Sequence, residues 1–128
     1  MKNYLKMLIF VIVLGSVVSG IFVGMEAWTG PLIRANADNE LKSTILDHFG
    51  ITYTTATLND IFEENVDVVS LDDFTFFRHE ASGAVSYEFL GGGVWGTIYG
   101  IITLEDDLET IRQITVLEQE ETPGLGGI

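Results

Sequence analysis

Residues 7–25, MLIFVIVLGSVVSGIFVGM, carry no charge, and this run constrains the fold more than any other feature. A helix needs about 20 apolar residues to cross the hydrocarbon core of a bilayer. Lys2 and Lys6 precede the run, whereas every acidic residue follows it. Positive residues favour the cytoplasmic side of a membrane helix. The sequence therefore predicts a single-pass anchor in the cytoplasmic (inner) membrane, with the N-terminus inside and the remaining domain on the extracytoplasmic side.

A cleavable signal peptide is the alternative interpretation of this run. Ala35-Asn36-Ala37 has the small-x-small pattern of a cleavage site. The apolar region of a signal peptide spans roughly 7–15 residues, however, and the tripeptide lies well beyond the run. We therefore favour an anchor at residues 1–28 that contacts the bilayer through residues 7–25.

Charge and cysteine content exclude several classes of function. The chain has 6 Lys and Arg residues against 19 Asp and Glu residues, and its net charge is -13. Binding to nucleic acid depends on Lys and Arg neutralising phosphates, so no nucleic-acid partner is expected. There is no cysteine, which excludes disulfides and thiolate-ligated clusters. Electron transfer by this chain would need an organic cofactor or a metal site without cysteine.

Residues 29–66 form a predicted linker and helical segment. Asn36 or Asp38 is a suitable N-cap for a helix that would end at Gly50. Its apolar residues recur at helical spacing and comprise Leu41, Ile45, Leu46 and Phe49. A second short helix is predicted from Thr57 to about Asn65, with a buried face formed by Leu58, Ile61 and Phe62.

Residues 67–128 have the sequence pattern of a β-rich segment. Runs of β-branched and aromatic residues are separated by acidic or glycine-containing turns. Residues 97–104 alternate, which places Tyr99, Ile101 and Thr103 on one face of a strand. A further strand after the acidic turn at residues 105–107 predicts an antiparallel hairpin. The expected fold class is α+β: an N-terminal transmembrane helix followed by one extracytoplasmic domain with a mixed or antiparallel sheet.

A glycine-rich segment precedes the alternating strand. Gly91-x-Gly93-x-x-Gly96 formally matches a dinucleotide-binding fingerprint, but that site requires the glycines to open a helix. Here they open a strand, so a bulge or a close backbone approach is the favoured interpretation. Trp95 and Tyr99 could either pack as core aromatics or border a flat cofactor.

The C-terminal segment Glu121-Thr122-Pro123-Gly124-Leu125-Gly126 is a second loop with unusual composition. Pro123 fixes one φ angle, and the glycines permit positive φ and close approach of a ligand. Thr122 offers a hydroxyl and Leu125 an apolar contact. Taken alone, this segment would be interpreted as a frayed tail.

Together, the segment from Gly91 onward and the ETPGLG loop resemble the FMN-binding domain that two kinds of membrane complex share. It occurs in the G subunit of Rnf electron-transport complexes and in the C subunit of Na⁺-translocating NADH:quinone reductases. The resemblance covers most of the chain and is most specific in ETPGLG. It implies FMN as the cofactor, with the loop beside it, and no catalytic or metal-binding residue. The implied cofactor-binding residues are Trp95, Tyr99, Glu121, Thr122, Gly124, Leu125 and Gly126.

In the families that this chain resembles, the FMN phosphate is esterified to a threonine in a downstream S-G-A-T type motif. Ser82-Gly83-Ala84-Val85 nearly spells that motif, but Val85 has no hydroxyl and the tetrapeptide precedes ETPGLG. The chain stops at Ile128, so we expect no covalent attachment threonine within it. An incomplete reading frame, a split subunit and a degenerate protein stay open as explanations, as does noncovalent binding of FMN.

The resemblance implies an electron-carrier subunit of an ion-translocating membrane complex, with other redox subunits as partners and no enzyme activity alone. The alternative is a flavin-free, membrane-anchored structural or interaction subunit, and a third hypothesis is a small extracytoplasmic domain for another ligand. Membership of the Rnf or the quinone-reductase type stays open. The acidic clusters are interpreted as solvated turns. His48 and His79 are predicted to be ordinary surface or capping residues.

Overall fold

The computed structural model describes residues 2–72 and 74–124, and two helices and five strands lie within them. The helices are α1 (Lys2–Phe49) and α2 (Leu58–Asn65). The strands are β1 (Val66–Leu71), β2 (Phe74–His79), β3 (Val85–Gly92), β4 (Thr97–Leu104) and β5 (Ile111–Glu118). The chain divides into two compact units, Met1–Ala37 and Asp38–Ile128.

The first unit is helical throughout its described residues and contains a stretch long and apolar enough to cross a membrane. Its large apolar side chains are exposed on all sides of the helix. A helix that is apolar all round suits lipid, because its backbone hydrogen bonds are satisfied internally. These properties support a membrane-anchored protein.

Helix α1 continues through Pro31, so the predicted separate start at Asn36 or Asp38 is wrong. A proline inside a helix removes one backbone donor and normally favours a break. Residues 32–49 contain neither glycine nor a further proline, and the helix is unbroken on both sides of Pro31. The predicted end of this helix at Gly50 is confirmed. Gly50 has a φ of 73°, and the Ile51 amide donates to the Leu46 carbonyl at 2.9 Å, as in a left-handed C-cap.

The second unit contains a five-stranded antiparallel sheet in which the described strands pair in the order β1-β2-β3-β4-β5. Strands β3 and β4 pair along their whole length, from Val85 opposite Leu104 to Gly92 opposite Thr97. Strand β2 pairs with β3 only at residues 76–78 and 85–87. The predicted hairpin of the last two strands is confirmed as β4 and β5. The α+β class and the antiparallel option for the sheet are therefore confirmed.

The core lies between the sheet and two helical segments, the end of α1 and the whole of α2. Its buried apolar side chains are Ile45, Leu46, Phe49, Leu58, Phe62, Val66, Phe77, Ala84 and Ile101. The predicted helix from Thr57 to Asn65 is confirmed as α2, which buries Leu58 and Phe62. Hydrophobic burial of these side chains is the main force that holds α1 and α2 to the sheet.

The prediction that His48 is a surface or capping residue is wrong, because the residue is 3% exposed. It lies one helical turn from Ile45, on the face of α1 that is buried. Its Nδ1 lies 2.6 Å from Thr103 Oγ1, and its Nε2 lies 2.7 Å from Thr115 Oγ1. Thr103 Oγ1 is also 2.6 Å from Ser86 Oγ. These hydroxyls satisfy the imidazole in the core, as buried polar groups require.

Candidate functional site

The glycine-rich turn between β3 and β4 is held by its own backbone. The Gly93 amide donates to the Gly96 carbonyl at 2.8 Å. Thr97 then begins β4, so the glycines open a strand as predicted, rather than the helix that a dinucleotide fingerprint requires. We call residues 93–96 the glycine turn.

A side chain from the segment after β5 closes the glycine turn. The Trp95 backbone amide donates to Glu121 Oε1 at 3.1 Å. This contact joins two predicted site residues that lie far apart in the sequence. A Cβ added at Gly93 would collide with Glu121 Oε1 and would lie 2.8 Å from the Gly96 carbonyl oxygen. Glycine is therefore needed at position 93 so that the Glu121 carboxylate can reach the Trp95 amide.

The second glycine of the turn makes room for a neighbouring acidic side chain. A Cβ added at Gly96 would lie 2.9 Å from the Cβ of Glu120. The sequence predicted a close backbone approach at these glycines, and the groups that approach are Glu120 and Glu121. Sequence reasoning missed the role of Glu120. No local sequence pattern links these glycines to two glutamates that lie a whole hairpin further along the chain.

Trp95 presents most of its indole to solvent, with 68% of the residue exposed. Thr122 and Pro123 are also exposed. Gly124 has a φ of 82°, and a Cβ added there would meet open space. Leu125 and Gly126, the other predicted cofactor-binding residues of this loop, lie outside the described residues. The described part of the site is thus an exposed indole beside a loop with an uncovered backbone, which is suitable for contact with a planar ring.

Tyr99 belongs to a different feature, a groove between the diverging parts of β2 and β3. The groove has a volume of about 610 Å³ and is lined by Phe74, Thr75, Phe76, Tyr87, Glu88, Phe89, Leu90 and Tyr99. Burial, followed by the charge and hydrogen bond of Glu88, raises the pKa of Tyr99 to about 12. Its hydroxyl therefore stays protonated at neutral pH, and its single proton is directed to the Glu88 carboxylate.

The electrostatics of the glycine turn favour an uncharged ring over a phosphate group. The end of β5 and the segment that closes the turn contain three acidic residues, Glu118, Glu120 and Glu121. The cations of the described part of the second unit form ion pairs with carboxylates elsewhere. These pairs are Lys42 with Asp38, Arg78 with Asp67 and Arg112 with Glu105. Like charges repel, so the residues present fit the ring system of a flavin better than its phosphate.

The tetrapeptide at residues 82–85 has a structural role. Gly83 has a φ of 75° in the turn between β2 and β3, and its amide donates to the His79 carbonyl at 2.9 Å. Val85 begins β3. The interpretation of Ser82-Gly83-Ala84-Val85 as a turn into a strand is confirmed.

Comparison with protein families shows a match between residues 93–127 and the FMN-binding domain. This segment begins at the first residue of the glycine turn and includes Trp95, Tyr99 and Glu121. The match therefore coincides with the part of the chain in which the turn and the segment after β5 are joined. It supports association with a flavin.

Similar proteins include several that are named as the C subunit of a Na(+)-translocating NADH-quinone reductase. The protein from Neisseria meningitidis is 44% identical over 45 residues, which cover 35% of this chain and 17% of that protein. The Vibrio alginolyticus protein is 30% identical over 89 residues, 59% of this chain and 35% of that protein. The Pseudomonas aeruginosa protein is 25% identical over 127 residues, 82% of this chain and 49% of that protein.

The chain thus spans about half or less of the length of these relatives. No solved structure matches it. The family match and the similar proteins nevertheless agree, and they confirm the resemblance to FMN-binding subunits of this type.

Proposed function

We propose that this chain is the FMN-carrying subunit of a membrane oxidoreductase complex of the quinone-reductase or Rnf type. In that role it relays electrons between other redox subunits and is not an enzyme alone. The observation that carries the proposal is the FMN-binding match at residues 93–127, which includes the turn closed by Trp95 and Glu121. When bound, FMN would supply the electron transfer, while the chain binds and orients its ring.

We assign the ring contact to Trp95 and the loop after β5. The exposed indole offers a face for stacking, and the open backbone at Gly124 admits a ring edge. Thr122 would add a hydroxyl to this lining, and the proposal extends to Leu125 and Gly126. Tyr99 would border the cofactor only from the neighbouring groove, through its aromatic ring.

The proposed position in the cell follows from the first unit. Residues 7–25 anchor the chain in the inner membrane, and the positive residues that precede them favour an extracytoplasmic domain. We propose that the other subunits of the complex contact this domain. Within residues 2–124 the S-G-A-V tetrapeptide offers no hydroxyl at Val85, so we propose noncovalent contact between FMN and this part of the chain.

A flavin-free, membrane-anchored interaction subunit is the second candidate function. It is favoured by apolar side chains that the sheet leaves exposed, among them Phe74 at 65%, Leu90 at 75% and Ile114 at 52%. Exposed apolar surface of this kind is typical of contacts between proteins.

Isolation from the native membrane in mild detergent separates the two functions. The proposal predicts a flavin absorbance spectrum, flavin released by acid precipitation, and redox subunits among the copurifying proteins. Colourless protein that retains the same partners would favour the interaction subunit. Colourless protein without redox partners would contradict both functions.

A further inference from the structure

We infer that Glu121 is a positioning residue: it holds the glycine turn so that the Trp95 indole faces the flavin, and it does not bind the flavin directly. The inference rests on the proposed function, because it specifies how the same site is organised. It changes the role expected for Glu121, which the resemblance placed among the cofactor-binding residues.

The hydrogen-bonding geometry of Glu121 supports this role. Its Oε1 accepts the Trp95 amide at 3.1 Å, while the Gly93 amide is already used by the Gly96 carbonyl. One carboxylate therefore fixes the residue that carries the indole. A hydrogen bond from an amide to a charged acceptor is stronger than one between neutral groups, and it crosses from the segment after β5 to the glycine turn.

The shape of the turn supports it as well. The space that a Cβ would fill at Gly93 is taken by the Glu121 carboxylate. At the adjacent position, Gly92, a Cβ would meet no atom within 4 Å. The Glu121 carboxylate therefore packs against position 93 and not against position 92. Trp95 itself remains 68% exposed, so packing restrains its side chain little, and the Glu121 contact holds its backbone.

The test uses the full-length chain in detergent with Trp28→Phe as background, so that Trp95 is the sole tryptophan. Fluorescence anisotropy of Trp95 without cofactor reports the order of the turn, and titration with FMN reports the affinity. The variants are Glu121→Ala, Glu121→Gln and Gly93→Ala. Glu64→Ala, at an exposed position outside the glycine turn and the segment after β5, is the matched control for charge, and Gly92→Ala is the matched control for an added methyl group.

We expect Glu121→Ala and Gly93→Ala to lower the Trp95 anisotropy and to raise the Kd for FMN about tenfold. Glu121→Gln keeps an acceptor oxygen at the same distance along the side chain, so it should bind FMN within about threefold of the background protein. Both control variants should also stay within about threefold. Thermal unfolding of each variant verifies that the fold is retained.

Two results would overturn the inference. If Glu121→Gln binds FMN as weakly as Glu121→Ala while its Trp95 anisotropy is unchanged, the charge itself acts on the cofactor. If Glu121→Ala leaves the anisotropy unchanged, the carboxylate does not order the turn. Failure of the proposed function has a separate signature: the background protein would bind no FMN, whereas the anisotropy would still decide whether Glu121 holds Trp95.

Discussion

Two histidines, one buried and one half-buried, make the stability of the domain sensitive to pH. Burial lowers the pKa of His48 from 6.5, against the opposing charge of Asp47. The groups that face its ring from the sheet, Thr103 and Thr115, are uncharged hydroxyls. Burial and the charge of Arg112 lower the pKa of His79 as well. Both histidines are therefore neutral in the folded chain at pH 7.

The sign of the resulting pH dependence follows from linkage. Below pH 6.5 the unfolded chain binds protons at these histidines more readily than the folded chain, so the folded state loses stability as the pH falls. We predict that the thermal unfolding midpoint decreases between pH 7.5 and 5.5. A double variant, His48→Gln with His79→Gln, should show a weaker decrease. An equal decrease in the double variant would show that other groups are responsible.

The hydroxyl of Thr103 is predicted to contribute substantially to stability. It contacts both His48 and Ser86 and is fully buried. Thr103→Val removes it and leaves buried polar groups without a partner, which costs about 1–3 kcal/mol. Thr97→Val, an exposed position on the same strand, is the matched control and should change the free energy of unfolding by less than about 0.5 kcal/mol. Chemical denaturation measures both, and equal effects would contradict the buried network.

Among the strands, the pairing of β4 with β3 and β5 depends on Gly100. A Cβ added at Gly100 would collide with the Thr115 carbonyl oxygen and would lie 2.9 Å from the Phe89 ring. Gly100→Ala should therefore destabilise the domain by about 1–3 kcal/mol, as overpacking does. Gly92→Ala, at the open end of β3, should have little effect in the same denaturation experiment. A loss of similar size at both positions would point to backbone conformation instead of the steric contact.

The elements themselves could largely be predicted from the sequence, because their signals are local. The alternation at residues 97–104 gave the faces of β4, and Gly50 marked the end of α1. The continuity of α1 through Pro31 could not be predicted, since a proline is a break signal in most contexts. The polar contacts of His48 depend on strands far along the chain, and no local pattern reports such contacts.

For the candidate site, the sequence identified residues but not the contacts between them. Motif resemblance identified both Trp95 and Glu121, but the hydrogen bond that joins them depends on the sheet bringing the turn and the segment after β5 together. Tyr99 has the right motif context, yet its side chain lines the groove beside β2. Sequence patterns therefore indicated the identity of the residues better than their roles.

For the whole molecule, membrane attachment depends on the unbroken apolar run of the first unit. An arginine at the centre of a membrane helix costs about 2.5–3.5 kcal/mol of insertion free energy. We predict that Val13→Arg reduces the fraction of the chain that resists extraction from membranes at alkaline pH. Ala56→Arg, at an exposed position of the second unit, is the control and should leave this fraction unchanged. Full extraction resistance in the Val13→Arg variant would contradict an anchor at residues 7–25.

For the whole molecule, we propose that the glycine turn and the loop after β5 together bind a flavin ring. This proposal is tested most directly by equilibrium titration of the full-length chain in detergent with FMN and with riboflavin, followed by flavin fluorescence. We expect both to bind with Kd values within about tenfold of each other, because the described cations of the second unit are paired with carboxylates. Trp95→Ala should weaken both by about tenfold, equivalent to about 1.4 kcal/mol. Absence of flavin binding, or equal affinity in the Trp95→Ala variant, would contradict a flavin-ring site at the glycine turn.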